Sequence, residues 1–312
     1  MTGAPAADSG DGAAAGSTGE TEQPNADTIV VNQKALQAFT EHMFDGIDAS
    51  IVDQSDEGMH DPLFGDVHIF EFARGALLTP VVRTSDEWFT STAISAEDPG
   101  GPALVVNGEE YDASKSQMLL EGLIGPLDPS DTITAGEVIR NGRIVAGTRS
   151  SPQGFFVSET LDDKGMPHFD FGQGNPPVDA AAAFGGGIPL IIDGLRYGPE
   201  KVFDSSNNLV VQSNLGYASW TQEPDSTGKV ILAYSSRNDH LAIAFQPDGA
   251  ANGKSITEIQ NYLAARGYDN ALAFDGSSSA TLVVRQSVVF SPAYYKNASI
   301  NIGIGVTLPK SH

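Results

Sequence analysis

Short apolar runs separated by turn residues dominate the chain from about residue 66 to its C-terminus. These runs are rich in β-branched and aromatic residues, which favour strands. The last run alternates apolar with small or polar residues from Ile300 to Leu308, and this period of two predicts a strand with one buried face. The other predicted strands cover residues 67–72, 104–106, 137–140, 143–146, 189–192, 195–197, 229–234, 241–246, 271–274, 281–284 and 288–290.

Two pairs of these predicted strands are joined by two-residue turn signals. Asn141-Gly142 and Asp193-Gly194 each stand between two apolar runs. Both dipeptides accept the positive φ angles of a type I′ turn, because glycine has no Cβ and Asn and Asp tolerate the left-handed region. We therefore predict antiparallel hairpins at both positions.

One helix is clearly marked before the C-terminal strands. Ser255 with Glu258 three residues later has the pattern of a capping box, and apolar residues at helical spacing follow. Gly267 stands where a helix C-terminus favours a left-handed residue. Many strands with few helices predict an α+β fold with largely antiparallel or mixed sheets.

The first 65 residues differ from the rest of the chain. Residues 1–28 lack aromatic side chains and large aliphatic ones are almost absent, so they bury too little apolar surface to offset the entropy of ordering. We predict a disordered acidic tail there. Apolar residues at roughly helical spacing between Ala35 and Phe44 predict a short amphipathic helix within an accessory segment, residues 29–65. Residues 66–312 form the predicted main domain.

The charge balance excludes some partners. The chain has 17 Lys and Arg against 40 Asp and Glu, a net charge of -23, which repels nucleic-acid phosphates. It contains no cysteine, so it forms no disulfide, and no stretch reaches the roughly 18 apolar residues of a membrane span. We expect a secreted or cell-envelope protein whose export signal is absent from this chain, with a cytoplasmic or phage-encoded origin left open.

Residues 271–284 carry the most informative polar pattern. An apolar strand leads to Asp275, Gly276 permits a tight turn, and hydroxyl side chains crowd the bend before the next strand. Such an array suits an oxyanion, because small residues let several hydroxyl and backbone N–H donors converge. A Ser-rich hairpin closed by an Asx-type turn would explain the same residues without any function.

The order of helix, Gly267, strand and the residues 273–281 resembles the C-terminal signature of the phosphodiester glycosidase family, in which Asn-Leu-Asp-Gly-Gly-Gly-Ser-Ser-Thr follows a strand. Two upstream segments agree with it in the family's order. Residues 105–112 resemble its Ile-Asn-Gly-Gly-Phe-Phe-Asp, and residues 185–194 resemble its Gly-Gly-x-Pro-x-Leu-x-x-Asp-Gly. Residues 136–142 fit the hairpin between them.

The sequence also departs from the family pattern. Glu109 and Glu110 stand where the family has Gly and an aromatic residue, and Ser277 and Ser278 replace two glycines. Two extra carboxylates beside a phosphate site would repel a dianion. A neutral glycoside or a singly charged diester therefore fits this chain better than a dianionic substrate.

The resemblance implies cleavage between the anomeric carbon of a sugar and a phosphate, or another good leaving group, through an oxocarbenium-like transition state. It implies Asp275 as the electrostatic stabiliser or nucleophile. Glu137 and Asp239 are the further candidates for a catalytic carboxylate. The candidate substrate-binding residues are Asn107, Gly108, Arg237, His240, Gly276, Ser277, Ser278, Ser279 and Thr281.

Several of these residues have a structural explanation as well. Asn107 can bind a sugar hydroxyl or hold a loop through its amide, and Asn-Gly is also common in turns. The polar cluster 237–240 lies between two predicted strands, and it can supply an acid, a base or a phosphate clamp. An exposed hairpin loop explains that cluster equally well. Asp193 is a further carboxylate that a turn explains.

The second hypothesis is a carbohydrate-binding or structural module of an envelope or virion that kept the scaffold without the chemistry. The substitutions at Glu109, Glu110 and Ser277 favour it. In either hypothesis the expected partner is a carbohydrate or phospho-sugar. No cofactor is required by the sequence, no metal ligands are assigned, and Ca²⁺ is the one ion kept open.

Overall fold

The computed structural model describes residues 47–48, 66–72, 74–83, 87–97, 100–108, 111–112, 133–134, 136–147, 154–197 and 224–309. In chain order its strands are β1 (Ile47–Asp48), β2 (His68–Phe72), β3 (Leu77–Val82), β4 (Leu104–Asn107), β5 (Tyr111–Asp112), β6 (Ile133–Thr134), β7 (Val138–Arg140), β8 (Arg143–Ala146), β9 (Phe155–Leu161), β10 (Pro167–Gln173), β11 (Ala182–Ile192), β12 (Leu195–Arg196), β13 (Lys229–Ser235), β14 (His240–Gln246), β15 (Asn270–Phe274), β16 (Leu282–Val284), β17 (Ser287–Phe290) and β18 (Ile302–Thr307). The helices are α1 (Phe89–Ala96), α2 (Ile256–Ala265) and α3 (Tyr294–Asn297).

Two sheets hold nearly all of these strands. The larger has 11 strands, with a path of β1-β2-β14-β13-β15-β11-β7-β8 from which β9, β10 and β12 branch. The smaller has five strands in the order β17-β16-β4-β18-β3. Every strand pair in the described ranges is antiparallel. The prediction of a sheet-dominated, largely antiparallel fold is confirmed, while the α+β label remains a prediction.

The apolar core lies between the two sheets. Phe184 and Phe274 of the large sheet meet edge to face, with ring centroids 6.4 Å apart. Val106 and Ile304 of the small sheet belong to the same buried cluster. Alternate residues of each strand enter this cluster because successive side chains of a strand point to opposite faces.

The outer face of the small sheet is also covered. Phe89 of α1 packs there against Val105 and Val283. On β18, glycine leaves the space that the helix needs, since a Cβ at Gly303 would lie 2.7 Å from the Phe89 ring. The predicted one-faced strand is therefore buried on both faces, and Ile300, which precedes the strand, packs in the α1 cluster instead.

A buried carboxylate links the two sheets. Glu159 of β9 accepts a hydrogen bond from the Leu78 backbone N–H of β3, with 2.6 Å between the atoms. Burial raises the pKa of Glu159 from 4.5 to about 7. Because the folded chain then binds this proton more tightly than the unfolded chain, the carboxyl's contribution to stability is lost as the pH rises from about 4.5 to 7. Phe155, Val157 and Glu159 alternate onto one face, a pattern that identifies Glu159 as inward-facing.

The predicted local signals take the expected form where the structure describes them. Asn141-Gly142 and Asp193-Gly194 have positive φ angles at all four residues, as a type I′ turn requires. Ser255 and Glu258 form the reciprocal capping box of α2. Gly267 has a φ of 88° at the end of that helix.

The N-terminal predictions fall largely outside the described residues. This holds for the tail, residues 1–28, and for the helix expected between Ala35 and Phe44. Of the accessory segment the structure describes β1, which pairs with β2 through Ile47 and Phe72. The boundary at residue 66 remains a prediction.

Candidate active site

Two bends, one from each sheet, meet at the C-terminal ends of β4 and β15. Asn107 is the last residue of β4 and is fully buried. Its amide Nδ2 donates to the backbone oxygen of Asp275 over 2.5 Å, and its Oδ1 accepts from the backbone N–H of Thr281 over 2.9 Å. The backbone N–H of Asp275 in turn donates to the Gly108 oxygen over 3.0 Å. One side chain thus fastens both ends of the bend 275–281.

This geometry argues against a hairpin turn at Asn107. Neither Asn107 nor Gly108 has the positive φ of a hairpin turn, and Gly108 continues the ladder by donating to Ile302 over 2.8 Å. The amide of Asn107 holds the loop through its two hydrogen bonds. Binding of a sugar hydroxyl by Asn107 remains a prediction.

The bend itself is a short 3₁₀ turn over Ser277–Ser279. Its backbone is closed by Ser279 N–H donating to Gly276 and by Ala280 N–H donating to Ser277, each over 3.0 Å. Ser277 has a φ of 52°, a region that favours glycine. The serine at this position therefore carries local backbone strain.

Gly276 cannot be replaced without displacing the backbone. A Cβ there would lie 2.3 Å from the Gly228 oxygen, and one at Gly228 would lie 2.4 Å from the Ser277 oxygen. The same approach lets the Ser277 N–H donate to Gly228 over 2.7 Å. Gly228 therefore forms part of this site. The sequence offered no signal for it, because the contact joins residues almost fifty positions apart.

The hydroxyl groups of the bend differ in exposure. Ser277 is exposed, and Ser278 and Asp275 are half-buried. Thr281 is buried and donates its hydroxyl to the Ser279 backbone oxygen over 2.8 Å. Ser279 is fully buried, and its Oγ has no hydrogen-bond partner among the described residues. A buried hydroxyl left unsatisfied costs about 1–3 kcal/mol. Substrate binding by Ser279 remains a prediction.

Glu137 lies beside the same part of the large sheet. It precedes β7, is almost fully buried, and its backbone oxygen accepts from the Gly185 N–H over 2.9 Å. The next residue, Val138, pairs with Phe184, whose ring packs on Phe274, the residue before Asp275. Asp275 thus follows one ring of this contact, and Glu137 precedes the residue that pairs with the other. A catalytic role for Glu137 remains a prediction.

The polar cluster 237–240 lies elsewhere. It connects β13 to β14 at the end where Tyr234 pairs with Asn270, whereas Val230 pairs with Phe274 at the end that leads to the bend. The separation along β13 is roughly 20 Å. Arg237, Asp239 and His240 are therefore not brought to Asp275, contrary to the predicted grouping. The sequence does not show which end of an antiparallel pair meets a third segment.

The cluster has its own local contacts. Asp239 accepts from the Tyr234 hydroxyl over 2.9 Å and forms an ion pair with Arg74 at 2.6 Å. Asp193, the other carboxylate considered, lies in its exposed turn at the same end and donates its N–H to the Asn270 side chain. These contacts support the explanation by turn structure at both positions.

Three further predictions concern two glutamates, a metal ion and a membrane span. Glu109 and Glu110 lie outside the described residues. Within the described ranges no three His, Asp or Glu side chains stand close enough to hold a metal ion. The Ca²⁺ ion remains a prediction. No helix in the described part of the chain is long and apolar enough to cross a bilayer.

Comparisons with known proteins show what this chain is similar to. A family model described as phosphodiester glycosidase matches residues 100–307. Among solved structures, the catalytic domain of zebrafish N-acetylglucosamine-1-phosphodiester alpha-N-acetylglucosaminidase, auto-inhibited by a pro-peptide, is similar with a TM-score of 0.51 and 15% identity, covering 78% of this chain and 77% of that one. A hypothetical protein from Synechocystis gives a TM-score of 0.46 and 13% identity, covering 78% of this chain and 59% of that one. A search of curated protein sequences finds no match.

Proposed function

Because this chain belongs to the phosphodiester glycosidase family, we propose that it is a hydrolase that cleaves the bond between the anomeric carbon of a sugar and a phosphodiester or another good leaving group. Water supplies a hydroxyl group to the anomeric carbon and a proton to the departing oxygen. The substrate is a sugar-1-phosphodiester or a microbial glycan. We place it outside the cell or in the cell envelope, because Ala/Gly/Ser/Thr-rich segments like the start of this chain commonly follow an export signal.

The fastening of the 275–281 bend by Asn107 is the observation that carries the proposal. The hydrogen bonds of this amide fix Asp275 and Thr281 before any substrate binds. Groups held in place in advance stabilise developing charge without reorganising during the reaction, which is the main source of electrostatic catalysis. A turn that served only to connect β15 to β16 would not need one buried side chain of the neighbouring strand β4 to bind the backbone at both of its ends.

The roles follow from the exposure of each group. Asp275 stabilises the oxocarbenium-like transition state or attacks the anomeric carbon. Ser277 and Ser278 reach solvent and donate to phosphate or sugar oxygens. Glu137 is the candidate for the second carboxylate. A phosphate leaving group reduces the need for a strong acid, because its oxygen departs as a weak base.

Electrostatics narrow the substrate class. A net charge of -23 disfavours the approach of a phosphate dianion over long range. A phosphodiester carries one negative charge at neutral pH, and an aryl glycoside carries none. These two classes are therefore the substrates to test first. Each assay is run with and without EDTA, because an enzyme that requires Ca²⁺ loses its turnover when the chelator removes the ion.

The test compares two aspartates that both lie in turns. Asp275→Asn is expected to lower kcat by about 10³-fold on sugar-1-phosphodiesters or aryl glycosides, because it removes a negative charge aimed at the transition state. Asp193→Asn, in an exposed turn at the other end of the sheet, is the control and should keep full activity. Activity that survives the change at Asp275 would contradict the mechanism.

A carbohydrate-binding module without catalysis is the second candidate. It is favoured by Ser277, because its exposed side chain occupies a position of positive φ in the bend and adds bulk there. Binding of a glycan without turnover over a long incubation would select this function.

A further inference from the structure

Lys229, at the start of β13, is a lysine in the protein interior, with 2% of its surface exposed. Its ammonium donates to the backbone oxygen of Asp225 over 3.0 Å and to that of Thr227 over 2.8 Å. Burying an ammonium is costly unless its N–H groups are used. A residue placed at such cost beside the candidate site suggests a function.

Gln246 lies directly across from Lys229 on β14 and is fully buried. Its amide donates to the same two backbone oxygens, over 2.7 Å and 2.6 Å, and accepts from the Lys254 N–H over 2.7 Å. We call Lys229, Gln246 and the oxygens of Asp225 and Thr227 the Lys229 knot. Four hydrogen bonds converge on two carbonyl groups, so the knot fixes the backbone just before β13.

Gly228 connects this knot to the candidate site. It lies between Thr227 and Lys229, and its oxygen accepts the Ser277 N–H over 2.7 Å. On its other side its N–H donates to the Asp248 carboxylate over 3.0 Å. The close approach of Gly228 and Gly276 transmits any shift of this backbone to the bend.

We propose that Lys229 and Asp248 are positioning residues of the active site, which hold Gly228 so that the 275–281 bend keeps its shape. Neither residue touches the reacting atoms. The effect on turnover rests on the proposed function, whereas the effect on the bend does not. Misplacement of a catalytic group by about 1 Å lowers rates by about 100-fold, so a small shift of Gly228 has a measurable consequence.

The first experiment removes the ammonium with Lys229→Met and follows amide hydrogen exchange in the full-length protein. Exchange of the Ser277 N–H is expected to accelerate by about tenfold or more, relative to exchange of the Leu232 N–H in the middle of β13. The reason is that the Gly228 oxygen, which accepts the Ser277 N–H, is no longer fixed. Lys254→Met is the matched control. The Lys254 side chain forms an i,i+4 pair with Glu258 at 3.5 Å, and the change keeps the backbone N–H that binds Gln246.

The second experiment removes the other contact that holds Gly228, the hydrogen bond to Asp248, without changing a side chain of the protein interior. Asp248 is half-buried, so Asp248→Ala is expected to fold even where Lys229→Met does not. It should accelerate exchange at Ser277 and lower kcat by about ten- to a hundredfold with a smaller change in KM. Asp248→Asn keeps an acceptor oxygen for the Gly228 N–H and should restore most of both.

The readouts separate this proposal from the proposed function. Unchanged exchange at Ser277 in both Lys229→Met and Asp248→Ala would overturn the positioning role, whatever the activity. Equal acceleration at Ser277 and Leu232 would also overturn it, since that result indicates general destabilisation. A wild-type protein that turns over no sugar phosphodiester or glycoside would refute the proposed function, and selective acceleration at Ser277 would still support the positioning role.

Discussion

The two ends of the β13–β15 strand pair carry aspartates in similar local settings and different tertiary ones. Asp275 lies in a polar turn two residues before Ser277, which has a positive φ. Asp239 lies in the polar loop 237–240 and has a positive φ itself. The backbone of the Asp275 bend is held from outside by Asn107 and Gly228, which belong to other strands or loops. Asp239 is held by Tyr234 on its own hairpin and by the exposed Arg74. Hydrogen bonds from buried residues of other segments, in place of an ion pair with an exposed arginine, therefore distinguish the candidate site from an ordinary surface turn.

The largest expected effect comes from removing the buried amide. Asn107→Leu preserves approximate volume but leaves the Thr281 N–H and the Asp275 oxygen without their partner, so we expect a loss of about 2–5 kcal/mol in the free energy of unfolding. Asp239→Ala at the other end removes an ion pair with the largely exposed Arg74 and one hydrogen bond, and should cost about 1 kcal/mol or less. Urea unfolding midpoints at unchanged m-value measure both. Similar losses of unfolding free energy in the two variants would contradict the difference between the two ends.

The contrast also explains how far the sequence could predict this molecule. Asn141-Gly142, Asp193-Gly194 and the capping box at Ser255 were identifiable because each depends on residues within a few positions of one another. The Asp275 bend could be located by its motif. Its fastening to Asn107 could not, because that contact spans 168 positions and depends on how two sheets stack.

The same dependence on contacts between distant residues explains which residues and elements the sequence analysis misplaced or missed. The cluster 237–240 is polar and adjacent to strands, as a site would be, but strand direction placed it at the far end of the sheet. Gly228 and Lys229 have no local pattern that marks them as part of a site. The helix α1 was not predicted either, since its eight residues follow a short polar stretch and lack a side-chain cap. Tertiary contacts, and not local preference, decided these cases.

A second prediction compares two glycines. Gly276→Ala places a Cβ 2.3 Å from the Gly228 oxygen, a backbone atom that cannot rotate away, and should lower the free energy of unfolding by about 3 kcal/mol. Gly194→Ala in the turn at the other end meets no atom within 4 Å, and only its φ of 77° opposes the change. That strain costs about 1 kcal/mol. Thermal unfolding of the two variants gives the comparison, and a smaller loss at Gly276 than at Gly194 would contradict the close packing of the bend.

The smallest effect concerns strain retained at Ser277. Its φ of 52° favours glycine, so Ser277→Gly should stabilise the fold by a few tenths to about 1 kcal/mol. Ser277→Ala keeps the strain and should leave stability almost unchanged. Both variants lose the exposed hydroxyl, and if it donates to the substrate each should raise KM by about fivefold, the equivalent of one ordinary hydrogen bond. Asp239→Gly relieves a φ of 56° at the other end but loses the contacts to Tyr234 and Arg74, so it should gain no stability and keep full activity. A stabilised Ser277→Gly variant with unchanged kcat and KM would mean that the strained serine serves neither binding nor catalysis.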